Sequence, residues 1–338
     1  MIWVLLLCAA LWALGWVMEV AKGRRVVLIG VVWATAFAVL CLPLDPASDH
    51  LRLWVLVTLI ALVGATYVWG FNRLKSRVKP YEKPAAKAAF QPAELERYAR
   101  HIMLREIGGP GQKALKSARV LVIGAGGLGS PALLYLAAAG VGVIGVVDDD
   151  VVDASNLQRQ IIHKDQGIGG DKVVSAKTAM LALNPFVEVR AIKARFTAAN
   201  AALLADYDLI LDGSDNFDTR YLVNRVAALA GKPLISGAIT QWEGQISLYD
   251  PARGTPCYEC VFPHRPAPGM VPTCAEAGVA APLPGVIGAM MAMEAVKHLV
   301  GAGEGLRSRL MIYDALYGEV RVIRTERRAD CAVCGASL

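Results

Sequence analysis

Two Cys-x-x-Cys pairs, Cys257/Cys260 and Cys331/Cys334, use four of the chain's seven cysteines. Four thiolates fill the tetrahedral shell of a structural zinc and leave no position open for water. A disulfide needs an oxidising compartment, and one redox pair needs only one Cys-x-x-Cys. Two separated pairs therefore predict a single zinc that clips the C-terminal tail to the body. Cys274, in a Pro- and Gly-rich loop between the pairs, reads equally as a reactive thiol or as a small apolar residue. Cys8 and Cys41 fall in apolar runs.

A second set of residues suits phosphate chemistry. The stretch "RVLVIGAGGLGSPALLYLAAAG" passes from a β-rich run through Gly124, Gly126, Gly127 and Gly129 into an alanine-rich helix. Such a turn brings backbone close to a nucleotide, in dehydrogenases, flavoenzymes and adenylating enzymes alike. About 20 residues on, Asp148 ends the next strand, where a carboxylate accepts from ribose hydroxyls; Asp149 and Asp150 follow it. Arg159 and Lys172 come next. A nicotinamide enzyme has little use for two cations there, whereas a triphosphate that loses pyrophosphate needs its charge neutralised. In "LDGSDNFD", Asp215 is placed to supply a magnesium ligand, beside Asn216; Asp212 could equally cap the following helix.

These residues need strands that end at one edge and helices that start there. Val120–Ile123 and Leu209–Leu211 are expected strands, and the predicted class is α/β, a Rossmann-like doubly wound sheet with a structural zinc site. Leu95, Tyr98, Ile102 and Met103 recur at helical spacing ahead of a turn at Gly108-Gly109-Pro110-Gly111. Three apolar runs, at about 2–21, 26–44 and 51–71, each have the length of a membrane span, so residues 1–75 are expected to be a membrane region with three transmembrane helices. Cations after the first and third runs, and Asp45 and Asp49 after the second, orient the remainder toward the cytoplasm. Residues 76–92 read as a linker and 93–338 as the catalytic domain. Residues 1–83 hold nine Lys/Arg against four Asp/Glu, and the rest 26 against 25. The basic excess flanks the apolar runs and gives no support for nucleic-acid binding.

Taken in order, "RYARHIML", "GAGGLGS", "DDDVVDASNLQRQ", "GGDKVVSAK", "LDGSDN", "TCAEAGVAAPLPGVIG" and the two cysteine pairs resemble the ThiF/MoeB/HesA family of ubiquitin-activating-enzyme-like adenylyltransferases. The resemblance covers about Glu94 to Gly335, and the apolar N-terminal runs lie outside it. It implies that ATP adenylylates the C-terminal glycine carboxylate of a ubiquitin-like sulfur-carrier protein ending in Gly-Gly, giving an acyl-adenylate and pyrophosphate. It implies a homodimer in which Arg100 reaches the partner's ATP while Arg159 and Lys172 meet the phosphates of their own chain. Asp148 would hold the ribose, Asp215 magnesium, and Asn156, Gln158, Asp150 and Asn216 would shape the pocket with Gly124, Gly126, Gly127 and Gly129. Cys274 links covalently to the carrier in some relatives.

The resemblance is strongest to molybdopterin-synthase adenylyltransferases, with the thiamine-pathway enzyme second. The expected partner set includes a separate sulfur donor, a cysteine desulfurase or sulfurtransferase, since no sulfurtransferase region follows the second cysteine pair. Two readings from other classes are a catalytically idle membrane scaffold that binds a carrier and an NAD-dependent oxidoreductase. The expected location is the cytoplasmic membrane, multi-pass, with the catalytic domain inside.

Overall fold

The computed structural model describes residues 2–18, 22–41, single positions between 55 and 66, 90–267, 270 and 274–335. The chain divides into two units, 1–85 and 86–338.

The first unit contains α1 (Ile2–Val17) and α2 (Lys22–Cys41). The three expected spans do not emerge from the described residues. At 16 residues, α1 falls short of the roughly 20 that a hydrocarbon core requires. In α2 the first turns carry Lys22, Arg24 and Arg25, and the described apolar stretch is Arg25–Ala36. Most of 51–71, and the linker before Phe90, lie outside the described residues. Among the described residues one helix, Pro282–Val300, has the length and apolarity of a span, and it is half buried in the second unit. It is a core helix, which passes the same test because a helix packed on a sheet also needs an apolar surface.

The second unit is built on one eight-stranded sheet in the order β3-β2-β1-β4-β5-β6-β7-β8. Its parallel part comprises β1 (Arg119–Ile123), β2 (Val143–Asp148), β3 (Glu188–Lys193), β4 (Leu209–Asp212) and β5 (Leu234–Ile239). Then β6 (Glu243–Tyr249), β7 (Arg309–Asp314) and β8 (Glu319–Arg324) continue it antiparallel. All five residues of β1 are buried, as a parallel strand covered on both faces requires. Val120 and Val122 face one core with Leu133, Leu136, Ile144, Leu209, Ile287 and Met291. Leu121 and Ile123 face the other with Phe196, Tyr207, Ile210 and Tyr221.

Helices fill both cores. On the first side lie α5 (Gly129–Ala139), α6 (Lys172–Leu183) and α10 (Pro282–Val300), through Leu133, Met180 and Met291. On the second lies α7 (Phe217–Leu229), through Tyr221, Val223 and Ala227. Leu133 has no exposed surface. Its truncation to alanine would leave a cavity and cost about 2–5 kcal/mol.

Two helices precede the sheet, α3 (Pro92–Ile102) and α4 (Gly108–Ser117). The Gly108-Gly109-Pro110-Gly111 run is not a turn after α3; it opens α4. Proline costs nothing in a first turn, where its missing N–H has no intrahelical partner. The clip region adds two short helices, α8 (Tyr258–Val261) and α9 (Cys274–Ala277).

Candidate functional site

Strand order reverses between β1 and β4, which is where an open α/β sheet leaves a crevice beyond the carboxyl ends of its strands. A cleft of about 890 Å³ opens there, lined among others by Gly124, Gly126, Gly127, Asp148, Asp150, Arg159, Lys172, Asp215 and Asn216. Segments drawn from much of the second unit's sequence thus supply one space.

The glycines act by backbone geometry. Gly124 has φ of +93° at the end of β1, a region that disfavours any side chain. A Cβ on Gly129 would meet the Gly124 carbonyl oxygen at 2.0 Å. Gly129 therefore lets α5 start against the strand and does not itself line the cleft. Asp148 takes the Ala125 amide on Oδ2 at 2.7 Å and the Asp150 amide on Oδ1 at 2.9 Å. These bonds orient the carboxylate and leave acceptor capacity facing the cleft.

The two cations line the same cleft. Lys172, at the N-terminus of α6, places Nζ 2.7 Å from Asp150 Oδ2. Arg159 donates to Asn156 Oδ1 at 2.7 Å. Asn156 thus steers a cleft residue and is not itself in the lining. Gln158 is exposed and away from the cleft. Two residues on, Gln160 is buried, lines the cleft, and its Oε1 has no hydrogen-bond partner among the described residues. Gln158, expected to shape the pocket, is thus outside the cleft lining, where Gln160 stands.

After β4, Asp215 is exposed at the cleft wall. Asn216 caps α7, accepting from the Thr219 amide at 2.8 Å. The cap is therefore Asn216 and not Asp212. Asp212 is fully buried and accepts from Ser214 Oγ at 2.6 Å and Ser236 Oγ at 3.0 Å. Arg220 of α7 completes this cluster, 3.7 Å from Asp212 and donating to the carbonyls of Ser214 and Gly237. A charge buried without such partners would be costly. Sequence pattern gives no sign of Arg220; only the burial of Asp212 demands it.

Arg100 lies exposed on α3 and does not reach the cleft of its own chain. Its helix is held by a buried Glu94–Lys116 ion pair at 2.7 Å and by Asn184 Nδ2 donating to Tyr98 Oη at 2.7 Å.

The four clip cysteines are buried together, with Sγ atoms all within 4.8 Å. Cys257 lies 3.9 Å from Cys260 and 3.6 Å from Cys331, and Cys260 lies 3.3 Å from Cys334. Metal–sulfur bonds of about 2.3 Å in a tetrahedron imply sulfur separations of about 3.8 Å, so the cluster fits zinc. Burial pushes the Cys257 thiol up and Cys334 up to about 11, so a cation would be needed to hold these two as thiolates. Tyr258, between the first two cysteines, lines the cleft and stacks at 4.8 Å on Phe262. The backbone of Cys274 begins α9.

Comparison with known proteins matches residues 98–333 to a model described as the ThiF family. A sulfur carrier protein adenylyltransferase of Thermus thermophilus is 49% identical over 247 residues, covering 72% of this chain and 91% of that protein. A probable adenylyltransferase/sulfurtransferase MoeZ of Mycobacterium tuberculosis is 50% identical over 254 residues. That alignment covers 74% of this chain but 64% of MoeZ, so the chain spans less than two thirds of that relative. The crystal structure of E. coli MccB with MccA-N7isoASN superposes with a TM-score of 0.62 at 24% identity, over 71% of this chain and 74% of that one. This last likeness speaks for the fold alone.

Proposed function

The chain belongs to the ThiF family, and from that membership we infer the reaction its cleft carries out. It is an adenylyltransferase that activates a sulfur-carrier protein with ATP. A C-terminal carboxylate oxygen of the carrier attacks the α-phosphorus, the bond from that phosphorus to the bridging oxygen breaks, and pyrophosphate leaves with the electron pair. The products are an acyl-adenylate and pyrophosphate. The observation that carries this reading is the meeting of the glycine turn, Asp148, Arg159, Lys172 and Asp215 in one cleft. The names of the two sequence relatives speak of adenylyl transfer.

In this account Asp148 takes the ribose hydroxyls and the glycine turn approaches the phosphates. Arg159 and Lys172 neutralise the leaving pyrophosphate, which is the electrostatic work such a reaction demands. Asp215 is the residue that would hold magnesium, which supplies charge neutralisation to the triphosphate when bound. Gln160 offers a free acceptor on the same wall. The exposure of Arg100, outside its own cleft, favours its acting on the ATP of a second copy in a homodimer. Cys257, Cys260, Cys331 and Cys334 would hold one zinc, whose role is to fix α8 and the tail. Cys274 is a candidate for a covalent link with the carrier.

The carrier is assigned to molybdopterin synthesis, with the thiamine-pathway carrier as the other outcome. Sulfur would come from a separate cysteine desulfurase or sulfurtransferase. The test is carrier-dependent exchange of radiolabelled pyrophosphate into ATP, run with each carrier. Exchange with the molybdopterin carrier alone supports the assignment; exchange with the thiamine carrier alone redirects it, and none with either rejects the reaction.

We assign residues 1–75 to tethering at the cytoplasmic membrane, with the catalytic unit in the cytoplasm. Support comes from the apolar composition of 2–21, 26–44 and 51–71 and from the cations that flank them. Fractionation tests it: full-length chain should sediment with membranes and a chain starting at Ala86 should not. Equal recovery of both in the soluble fraction rejects the tether.

A further inference from the structure

His163 is 4% exposed, and both of its ring nitrogens are engaged. Nε2 lies 2.9 Å from the carbonyl oxygen of Ala125, inside the glycine turn. Nδ1 lies 3.0 Å from Oγ of Ser175, one turn along α6 from Lys172. The Ala125 amide is in turn bonded to Asp148 Oδ2 at 2.7 Å. One residue of the glycine turn is thus gripped on both sides, its N–H by the ribose-side carboxylate and its C=O by a histidine anchored on the helix that opens with Lys172. This chain of bonds joins the three parts of the nucleotide site that the sequence separates.

We propose that His163 is a positioning residue for ATP, holding the glycine turn in register with the Lys172 helix. It rests on the reading of the cleft as an ATP site. The Ala125 carbonyl requires Nε2 to donate, because a carbonyl can only accept, and in the neutral ring Nδ1 accepts from the Ser175 hydroxyl. Only the neutral imidazole does both. Burial, with the Lys172 charge nearby, lowers the proton affinity of His163 and favours that form, while the Ala125 hydrogen bond and Asp148 oppose it. His163 is not among the residues that line the cleft and acts through the Ala125 carbonyl, so its effect is on binding geometry and not on chemistry.

The experiment measures the Kd for the non-hydrolysable analogue α,β-methylene-ATP with magnesium, by calorimetry on the full chain. His163→Ala should weaken binding about tenfold or more. His163→Gln should restore it to within about threefold, since a primary amide also offers an N–H donor and a carbonyl acceptor, both borne by one carbon. Ser175→Ala should weaken it about threefold, because it frees the ring to rotate. If His163→Ala folds and binds as the natural chain does, or if His163→Gln is as impaired as His163→Ala, the proposal fails. If His163→Ala does not fold, Ser175→Ala decides: weaker binding supports the proposal and unchanged binding overturns it. Failure of the natural chain to bind the analogue would reject the ATP site itself, a separate result.

Discussion

Lys172 Nζ lies 2.7 Å from Asp150 Oδ2, the lysine side chain 5% exposed and the aspartate 66%. A buried cation paired with a solvated carboxylate at a cleft wall can exchange that carboxylate for a phosphate oxygen, because the aspartate regains water when it lets go.

From this pair follows an asymmetry between two substitutions. Lys172→Ala should reduce carrier-dependent ATP–pyrophosphate exchange at least about 100-fold, the scale of losing one aimed charge in a dry site. Asp150→Asn should change it less than about tenfold, as the lysine needs the phosphate and not the carboxylate. Equal losses in both variants would show that the ion pair itself is the working unit.

Arg100 and Arg159 make a second case. Each alanine variant should be inactive alone. Mixed, they should regain activity, since a heterodimer contains one site with Arg100 from one chain and Arg159 from the other. A mixture that stays inactive after subunit exchange has been verified places Arg100 outside the partner's site.

Much of the cleft is legible in sequence because backbone chemistry leaves a mark there. Gly124 and Gly129 are required by a positive φ and a 2.0 Å approach, and Asp148 by its place at the end of β2. Arg220 and His163 leave no such mark. Each satisfies a buried group by a contact that no motif spacing marks: Arg220 the buried Asp212, His163 the Ala125 carbonyl. Gln158 and Gln160 share residue type and neighbourhood, and only burial and place in the cleft lining separate them. The helix at Pro282–Val300 shows the converse: composition alone cannot tell a core helix from a membrane helix, and burial decides.

The cysteine clip predicts a linked loss. Purified protein should carry about one zinc per chain. Cys257→Ser or Cys334→Ser should lower metal content and melting temperature together, and should also weaken carrier-dependent exchange, because Tyr258 between the first two ligands lines the cleft. A cysteine variant free of zinc that melts with the natural protein would remove the structural role.

Acid should weaken the catalytic unit through His298. Its Nδ1 accepts from Arg307 at 2.8 Å, and burial, with the Arg307 charge, depresses its pKa to about 4. The unfolded chain therefore takes up the proton first. The stabilisation is complete above about pH 6.5 and is lost as pH falls toward 4, by about 2 kcal/mol after allowing for partial exposure. The urea midpoint should drop between pH 7 and pH 4.5, and less steeply in His298→Gln. Parallel slopes in the two proteins would rule His298 out as the cause.

The most direct measurement is the mass of the sulfur carrier after a short incubation with enzyme, ATP and magnesium. With the natural chain the carrier should gain an adenylyl group at its C-terminus. With Asp215→Ala, shown by circular dichroism to be folded, it should not, because a solvated carboxylate at the cleft wall contributes little to packing. A carrier left unmodified by the natural chain, or modified equally by Asp215→Ala, would contradict the account of this cleft as a magnesium-assisted adenylylation site.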